Sequence, residues 1–132
     1  MSQIKIRIYY EDTDAGGIVY HANYLKYMER GRTEWLRDLG VDQDQLKENG
    51  LVFVASEAAI KFHQPARFNQ LLTVSTQVAK LRKVSILFEQ QIYDQNDVLI
   101  ASSEVVIASV DSNTMKLKAI PAQVKEVILR AL

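Results

Sequence analysis

The sequence predicts an α+β fold in which one mostly antiparallel sheet wraps around a single long helix. A helical stretch near the start of the chain, several strand-like segments after it and polar turns between those segments lead to this prediction. An order of strand, long helix, consecutive strands and terminal helix is typical of an α+β arrangement. A chain of 132 residues, 48% of them apolar, is expected to form one domain over residues 1–132.

The long helix is predicted to run from about Asn23, its expected N-cap, to Gly40, its expected stop. At about 100° per residue its apolar positions fill an arc roughly half a turn wide. These positions are Tyr24, Leu25, Tyr27, Met28, Gly31, Trp35, Leu36 and Leu39. So broad an arc predicts that other structure encloses the helix. Arg32 points into the apolar arc, and Glu29, one turn earlier, is its expected ion-pair partner.

Five other segments are predicted strands. Residues 3–10 alternate between apolar and polar, and residues 51–62 carry apolar side chains at even positions. Residues 72–78 and 84–92 follow with the same pattern, joined by a short basic turn. Residues 98–110 are apolar on both faces, as expected of a strand in the middle of a sheet.

Shorter elements complete the predicted fold. Residues 42–49 are expected to form a short helix closed by Gly50, and residues 115–120 a brief extension of the sheet. Pro121 is expected to open a C-terminal helix, because proline is favoured in the first turn. A sheet of this kind has exposed edges, and pairing with a second copy is a common way to cover one, so a homodimer is expected.

The composition excludes several classes of function. Sixteen basic and sixteen acidic residues give no net charge, which argues against non-specific binding of nucleic acid. The absence of cysteine excludes disulfides and thiolate chemistry, and two histidines make a zinc site improbable. No run approaches the ~18 apolar residues of a membrane span. We therefore expect a soluble, cytoplasmic protein.

The stretch between the first strand and the long helix combines groups suited to acyl chemistry. Asp12 and Asp14 precede a Gly16-Gly17 turn, and His21 lies close to the helix start. A helix N-terminus favours anions and has free N–H groups that can hold a carbonyl oxygen. Asp14 beside it can act as a general base or as a nucleophile, although an aspartate before two glycines also commonly caps a turn.

Neighbouring residues have both functional and structural interpretations. Asp12 is expected to be structural, since two charged carboxylates in one small pocket would repel. Tyr10 either donates a hydrogen bond to Asp14 or only fills the strand end. His21 contributes either its ring or its backbone N–H. Glu29 is foremost the expected partner of Arg32 and secondly a residue of the site.

Basic residues lie in two of the predicted connections. Arg82 and Lys83 occupy a hairpin turn, and Arg67 lies in the other connection. Ordinary solvated turns often carry such residues, but they are also the candidates to meet phosphates of a substrate. The sequence has no G-x-S-x-G elbow, no Walker-type glycine loop and no dinucleotide fingerprint.

The residues of this stretch carry a family resemblance. The pattern comprises Tyr10, Asp12, Thr13, Asp14, Gly17, Val19, Tyr20, His21 and Tyr24, then Glu29, Arg30, Arg32 and Glu34. It resembles the signature of the hot-dog-fold acyl-CoA thioesterases, in particular the 4-hydroxybenzoyl-CoA thioesterase branch and its Tol-Pal-associated members. Pro65-Ala66-Arg67-Phe68 is similar to the second motif of that group, whereas Asn69-Gln70 departs from it, because an acidic residue is common there.

The resemblance implies a sheet that wraps a central helix, dimers that often form tetramers, and active sites at the dimer interface. It implies that Asp14 is the catalytic carboxylate, that Tyr10 and His21 line the site, and that an amide near His21 polarises the thioester carbonyl. The residues that it implies for substrate binding are Gly17, Tyr24, Glu29, Arg67, Arg82 and Lys83. Of these, Arg82 and Lys83 are expected to meet the phosphates of coenzyme A.

The sequence thus predicts hydrolysis of an acyl-CoA thioester to a free acid and coenzyme A, without a metal or other cofactor. A first alternative is the same fold acting on an aryl-CoA or an acyl-carrier-protein thioester. A second is a binding or interaction module with little turnover. The choice between general base and nucleophile for Asp14 stays open at this level.

Overall fold

The computed structural model describes residues 2–132. The strands are β1 (Ser2–Arg7), β2 (Leu51–Phe62), β3 (Leu71–Leu81), β4 (Ser85–Tyr93) and β5 (Leu99–Asp111). The helices are α1 (Asn23–Asp38), α2 (Gln43–Glu48) and α3 (Ala122–Arg130). A single 3₁₀ turn over Tyr10–Asp12 replaces the end of the first predicted strand. The α+β prediction is confirmed, including the long helix and the C-terminal helix.

All strand pairs are antiparallel, and the sheet has the order β1-β3-β4-β5-β2. β5 is hydrogen-bonded on both sides, as its two apolar faces predicted. β1 and β2 are the edges of the sheet. Two buried clusters lie under α1, one around Tyr24, Tyr27 and Met28 and the other around Trp35 and Leu36. The N-terminal and C-terminal halves of α1 therefore cover different parts of the sheet.

The two ends of α1 differ from each other in how they are closed. The prediction that Asn23 is the N-cap was wrong: Ala22 takes that position without a side-chain cap, and Asn23 is the first helical residue. Gly40 is confirmed as the stop, with a φ of 82°. Its N–H donates to the Arg37 carbonyl at 2.9 Å, while the Val41 N–H donates to the Leu36 carbonyl at 3.0 Å. This pair of bonds is the Schellman motif.

The middle of α1 lies very close to the sheet at Gly31. A Cβ at that position would lie 2.7 Å from Thr76 Oγ1 and 2.9 Å from Gln90 Nε2. Gln90, fully buried, donates from Nε2 to the Met28 carbonyl at 2.8 Å and to Thr76 Oγ1 at 2.9 Å. Its Oε1 accepts from Arg32 Nη1 at 3.0 Å. A buried and fully bonded amide thus fixes the position of the helix on the sheet.

The expected ion pair between Glu29 and Arg32 was wrong. Within residues 2–132 no carboxylate forms an ion pair with Arg32, whose hydrogen-bond partner is Gln90. Glu29 instead accepts a hydrogen bond from Thr33 Oγ1 at 3.2 Å. The spacing along the helix was suitable for pairing, but Gln90 of the sheet offers Arg32 a nearer acceptor.

A β-bulge in β2 changes which residues face the helix. The register with β5 shifts between Ala55 and Glu57. Before the bulge the odd positions face inward, since Leu51 is buried and Phe53 packs on the core. After the bulge Ile60 packs on the core. The expectation of one apolar face at even positions throughout 51–62 was therefore wrong for the first half of the strand.

The remaining short elements agree in part with the predictions. In α2, Asp42 is the N-cap and accepts from the N–H groups of Asp44 and Gln45, and Gly50 follows with a φ of 87°. Residues 115–120 extend the sheet only at an isolated bridge between Leu117 and Val110, flanked by the bonds Asp111 N–H to Lys116 carbonyl at 2.8 Å and Lys118 N–H to Ser109 carbonyl at 2.9 Å, so the expected extension is confirmed over a shorter length. No helix within residues 2–132 is long and apolar enough to cross a membrane.

Replacing Gly31 with alanine tests the close approach of α1. Alanine normally stabilises a helix by about 1 kcal/mol relative to glycine. Here the added methyl would force apart Thr76 and Gln90, and overpacking of this kind costs about 1–3 kcal/mol. We expect Gly31→Ala to lower the free energy of unfolding by up to about 2 kcal/mol, measured by urea denaturation. The control Lys26→Ala, exposed on the same helix, should change it by less than about 0.5 kcal/mol.

Candidate active site

Asp14 lies on a tight hairpin that projects from the start of α1. Its N–H donates to the Ile18 carbonyl at 2.9 Å, and its carbonyl accepts from the Gly17 N–H at 3.0 Å. Gly17 has a φ of 79°, which favours glycine at the turn. Asp14 Oδ1 accepts from the Gly16 N–H at 2.8 Å. The residue is exposed, and in the described chain Oδ2 has no hydrogen-bond partner, so one carboxylate oxygen remains available.

The carbonyl oxygen of Asp12 ties this hairpin to α1. It accepts from the Tyr20 N–H and from Asn23 Nδ2, both at 2.9 Å. The carboxylate of Asp12 accepts from the Tyr9 N–H at 2.8 Å, which closes the 3₁₀ turn. The structural interpretation of Asp12 is therefore confirmed. The side chain of Asn23, which would have capped the helix in the prediction, instead holds the hairpin against the helix start.

The connection between β2 and β3 supports the hairpin from the other side. The Val19 N–H donates to the Ala66 carbonyl at 2.8 Å, and Ile18 forms a bridge with Arg67. The Ala66 N–H donates to the hydroxyl of Tyr24 at 3.2 Å. Because Ala66 and Tyr24 are both buried, this bond links the connection firmly to α1. Gly17, Tyr24 and Arg67 are thus brought together around the Asp14 hairpin.

The start of α1 offers backbone donors next to the hairpin. The Asn23 N–H donates to the Tyr20 carbonyl at 2.9 Å, whereas no group of residues 2–132 accepts from the N–H of His21 or Ala22. The imidazole of His21 is exposed and lies against Tyr20 and Phe62, with ring centroids 4.7 and 6.0 Å away. Two free N–H groups at a helix start can bind the oxygen of a polarised carbonyl.

Tyr10 is turned toward a different neighbour from the one expected. Its ring stacks on Phe68, with centroids 3.9 Å apart and planes 5° from parallel, and 75% of the residue is exposed. The residues described contain no hydrogen bond between Tyr10 and Asp14. Tyr10 contacts the 63–70 connection, which itself borders the hairpin, and a role in substrate contact stays a prediction.

Three other predicted residues lie away from Asp14 in the same chain. Glu29 is exposed on α1, about 9 Å beyond the helix start at 1.5 Å per residue. Arg82 and Lys83 form the exposed β3–β4 turn, where the Ile120 N–H donates to the Lys83 carbonyl at 3.0 Å. This turn lies at the C-terminal end of α1, a helix about 24 Å long. Within one chain it therefore lies about the length of this helix away from the Asp14 hairpin.

Tyr27 is a residue that the sequence suggested only as part of the core. Its ring is buried, and its hydroxyl lies near the carboxylate of Asp12 without meeting the full geometry of a hydrogen bond. Burial raises the pKa of Tyr27, and the nearby carboxylate of Asp12 raises it further. Its spacing of four residues from Asn23 puts both on the helix face under the hairpin, a signal that was present in the sequence.

Both the sequence and the fold are similar to those of known proteins. The model of the family described as the thioesterase-like superfamily matches residues 9–128, so the chain belongs to this superfamily. An acyl-CoA thioesterase YbgC of Haemophilus influenzae is 45% identical over 91% of this chain and 88% of its own. The acyl-CoA thioester hydrolase YbgC of Escherichia coli O6:H1 is 38% identical over 90% and 89%.

A solved structure confirms the hot-dog fold. A 4-hydroxybenzoyl-CoA thioesterase variant in complex with 4-hydroxybenzoyl-CoA superposes with a TM-score of 0.86 over 96% of this chain and 97% of its own. At 19% identity this likeness concerns the fold alone. The resemblance of the first motif to the hot-dog acyl-CoA thioesterases is confirmed by the family match and by the two relatives.

Two tyrosines under the hairpin should respond differently to loss of their hydroxyl groups. Tyr24→Phe would leave the buried N–H of Ala66 without an acceptor, at a cost of about 1–2 kcal/mol. Tyr27→Phe would remove a hydroxyl that only lies near the carboxylate of Asp12 and satisfies no buried donor, so the free energy of unfolding should change by less than about 0.5 kcal/mol. Urea denaturation of both variants checks this. An equal loss in the two would contradict the hydrogen bonding described.

Proposed function

We propose that the protein hydrolyses the thioester of an acyl-CoA to a free carboxylic acid and coenzyme A. The observation that carries the proposal is the hairpin of Asp14. It holds a carboxylate with one free oxygen beside a helix start whose N–H groups at His21 and Ala22 have no acceptor in the described chain. The two relatives named as acyl-CoA thioesterase and acyl-CoA thioester hydrolase support the choice of substrate class.

In the proposed reaction the N–H groups of the helix start bind the thioester carbonyl oxygen and stabilise the negative charge that develops on it. Asp14 removes a proton from a water molecule while the oxygen of that water bonds to the carbonyl carbon. The tetrahedral intermediate then releases the acid and the thiolate of coenzyme A, which takes up the proton. The alternative is direct attack by Asp14 to form a mixed anhydride, which water then cleaves.

The edge strand β2 supports a homodimer. Its residues 55–59 are exposed, although they lie in the middle of a strand of 12 residues. An uncovered edge of this length readily pairs with another strand. We propose that two copies pair antiparallel along β2, so that the two sheets become continuous. Assembly of dimers into a tetramer, and a cytoplasmic location, remain predictions from the sequence.

A dimer of this kind also supports the proposed role of Arg82 and Lys83. In one copy they lie at the opposite end of the fold from Asp14. Antiparallel pairing along β2 would bring the β3–β4 turn of one copy toward the Asp14 hairpin of the other. We propose that Arg82 and Lys83 bind phosphates of coenzyme A whose thioester is held by the other copy. Tyr10, His21 and Arg67 would border the thioester around the hairpin.

Replacing Asp14 with asparagine tests the proposed chemistry. Asparagine retains the oxygen that accepts from Gly16, so the hairpin should keep its shape while the basic group is lost. We expect turnover of acyl-CoA substrates to fall at least about a hundredfold, measured by coenzyme A release with a thiol reagent. The chain contains no cysteine, so the protein adds no thiol signal.

The matched control is Asp38→Asn, an exposed carboxylate at the other end of α1, which should keep full activity. Equal activity of the two variants would contradict the role of Asp14.

A panel of aliphatic, aromatic and carrier-protein thioesters distinguishes the acyl-CoA assignment from its nearest alternatives. Binding without turnover on the whole panel would contradict an enzymatic function. Single turnover in ¹⁸O-water labels Asp14 only if it acts as the nucleophile.

Substitution in the middle of β2 tests the proposed dimer. Ala58 is exposed in one chain but would lie at the centre of the pairing, where a lysine would introduce a charge. We expect Ala58→Lys to shift the protein from dimer to monomer in sedimentation velocity and to lower thioesterase activity. Ala79→Lys, an exposed alanine of β3, is the control and should remain dimeric and active. A monomeric wild type would contradict the proposal.

A further inference from the structure

A small cavity opens between α1, β2, β4 and β5, away from the Asp14 hairpin of the same chain. Its volume is about 170 Å³. Leu36, Phe53, Phe88 and Ile107 provide apolar wall, and Arg32 and Glu29 are the charged residues at its surface. The cavity is well below the usual range of about 300–1,000 Å³ for ligand sites, so it suits one small group rather than a whole ligand.

The guanidinium of Arg32 lines this cavity and forms no ion pair within residues 2–132. It uses Nη1 to donate to Gln90 Oε1 at 3.0 Å, and no further hydrogen bond of its side chain occurs within residues 2–132. Burial lowers the pKa of Arg32, and the charge of Glu29 offsets this only in part. Glu29 is engaged with Thr33 and forms no ion pair with Arg32. A partly buried cation with unused donors is a costly arrangement unless an anion binds it.

The hydrogen bond to Gln90 does not by itself account for a charge at this position. Gln90 is buried and needs one donor for its Oε1, which an uncharged side chain could supply. A guanidinium has five N–H groups in a planar fork and matches a carboxylate with two parallel bonds. The remaining donors of Arg32, at the end of an apolar wall, are therefore suited to a carboxylate on a short apolar chain.

The proposed dimer brings this cavity to the reacting centre. In one chain the ring of Phe62 lies against His21 and Tyr24, with centroids 6.0 and 5.8 Å away, at the hairpin end of β2. Residues 55–59 are exposed. If the proposed antiparallel pairing is centred there, between Glu57 and Ala58, Phe53 of one copy lies opposite Phe62 of the partner subunit. The cavity behind Phe53 would then open next to the thioester that the other copy holds.

We propose that this cavity binds the far end of the acyl group and that Arg32 binds a carboxylate there, so that the preferred substrates are CoA thioesters of short dicarboxylic acids. The inference rests on the proposed thioesterase function and adds the substrate class. The apolar wall of the cavity contacts the methylene groups of the acyl chain, and the charge of Arg32 selects acyl groups that end in an anion. Hydrolysis then proceeds at the thioester as described above.

Two probes of equal length test this inference: glutaryl-CoA, which ends in a carboxylate, and pentanoyl-CoA, which ends in a methyl group. We expect the wild type to show a higher kcat/KM for glutaryl-CoA. In Arg32→Met the ratio of the two kcat/KM values should fall about tenfold or more, mainly through KM, because a charged hydrogen bond in binding is lost. Arg37→Met, an exposed arginine of the same helix, should leave the ratio unchanged.

A second measurement does not depend on turnover. Glutarate should raise the melting temperature of the wild type more than pentanoate does, and this difference should disappear in Arg32→Met but not in Arg37→Met. Glu29→Gln should increase the preference for glutaryl-CoA, because it removes the other charge at the cavity. A fall in the ratio in Glu29→Gln would overturn the assignment to Arg32.

The outcomes separate this inference from the proposed function. If the wild type cleaves pentanoyl-CoA as well as glutaryl-CoA or better, the substrate class is overturned while the thioesterase function stands. The same holds if Arg32→Met keeps the wild-type ratio, or if Arg37→Met loses it. If no acyl-CoA is cleaved by the wild type, both the function and the substrate class are overturned.

Discussion

The carbonyl oxygen of Asp12 is the point on which the geometry of the site depends. It accepts at once from the backbone of Tyr20 and from the side chain of Asn23, both at 2.9 Å. One bond closes the hairpin and the other fastens the hairpin to the first residue of α1. The carboxylate of Asp14 and the free N–H groups of the helix start are thus held by one shared acceptor, so that neither can move far without the other.

The position of α1 on the sheet is fixed by a second constraint, in the middle of the helix. Gly31 allows close approach, and Gln90 then bonds to the carbonyl of Met28 and to Thr76. The helix cannot slide along the sheet without breaking these buried bonds, which would leave polar groups unsatisfied. The same contact point therefore sets where each end of α1 lies, with the hairpin at one end and the Trp35 cluster at the other.

The sequence predicted the features that depend on local pattern. Periodicity located α1 and the strands, and Gly40 marked the end of the helix, because side-chain spacing and turn chemistry are properties of neighbouring residues. The predicted roles of the Asn23 and Arg32 side chains were wrong. Their hydrogen-bond partners, Asp12 and Gln90, lie 11 and 58 residues away in the sequence and come close only in the folded protein. The motif around Asp14 was recognisable, whereas the stacking of Tyr10 on Phe68 was not, because it joins two separate loops.

Because of the bulge in β2, the number of residues in this strand decides which side chains face the core, more than the identity of its small residues does. Leu51 and Phe53 before it, and Ile60 after it, face the core only because one extra residue between Ala55 and Glu57 changes the alternation. Loss or gain of a single residue there would turn one half of the strand inside out. We therefore expect evolution to tolerate exchange of the small residues in this segment far more readily than one-residue insertions or deletions.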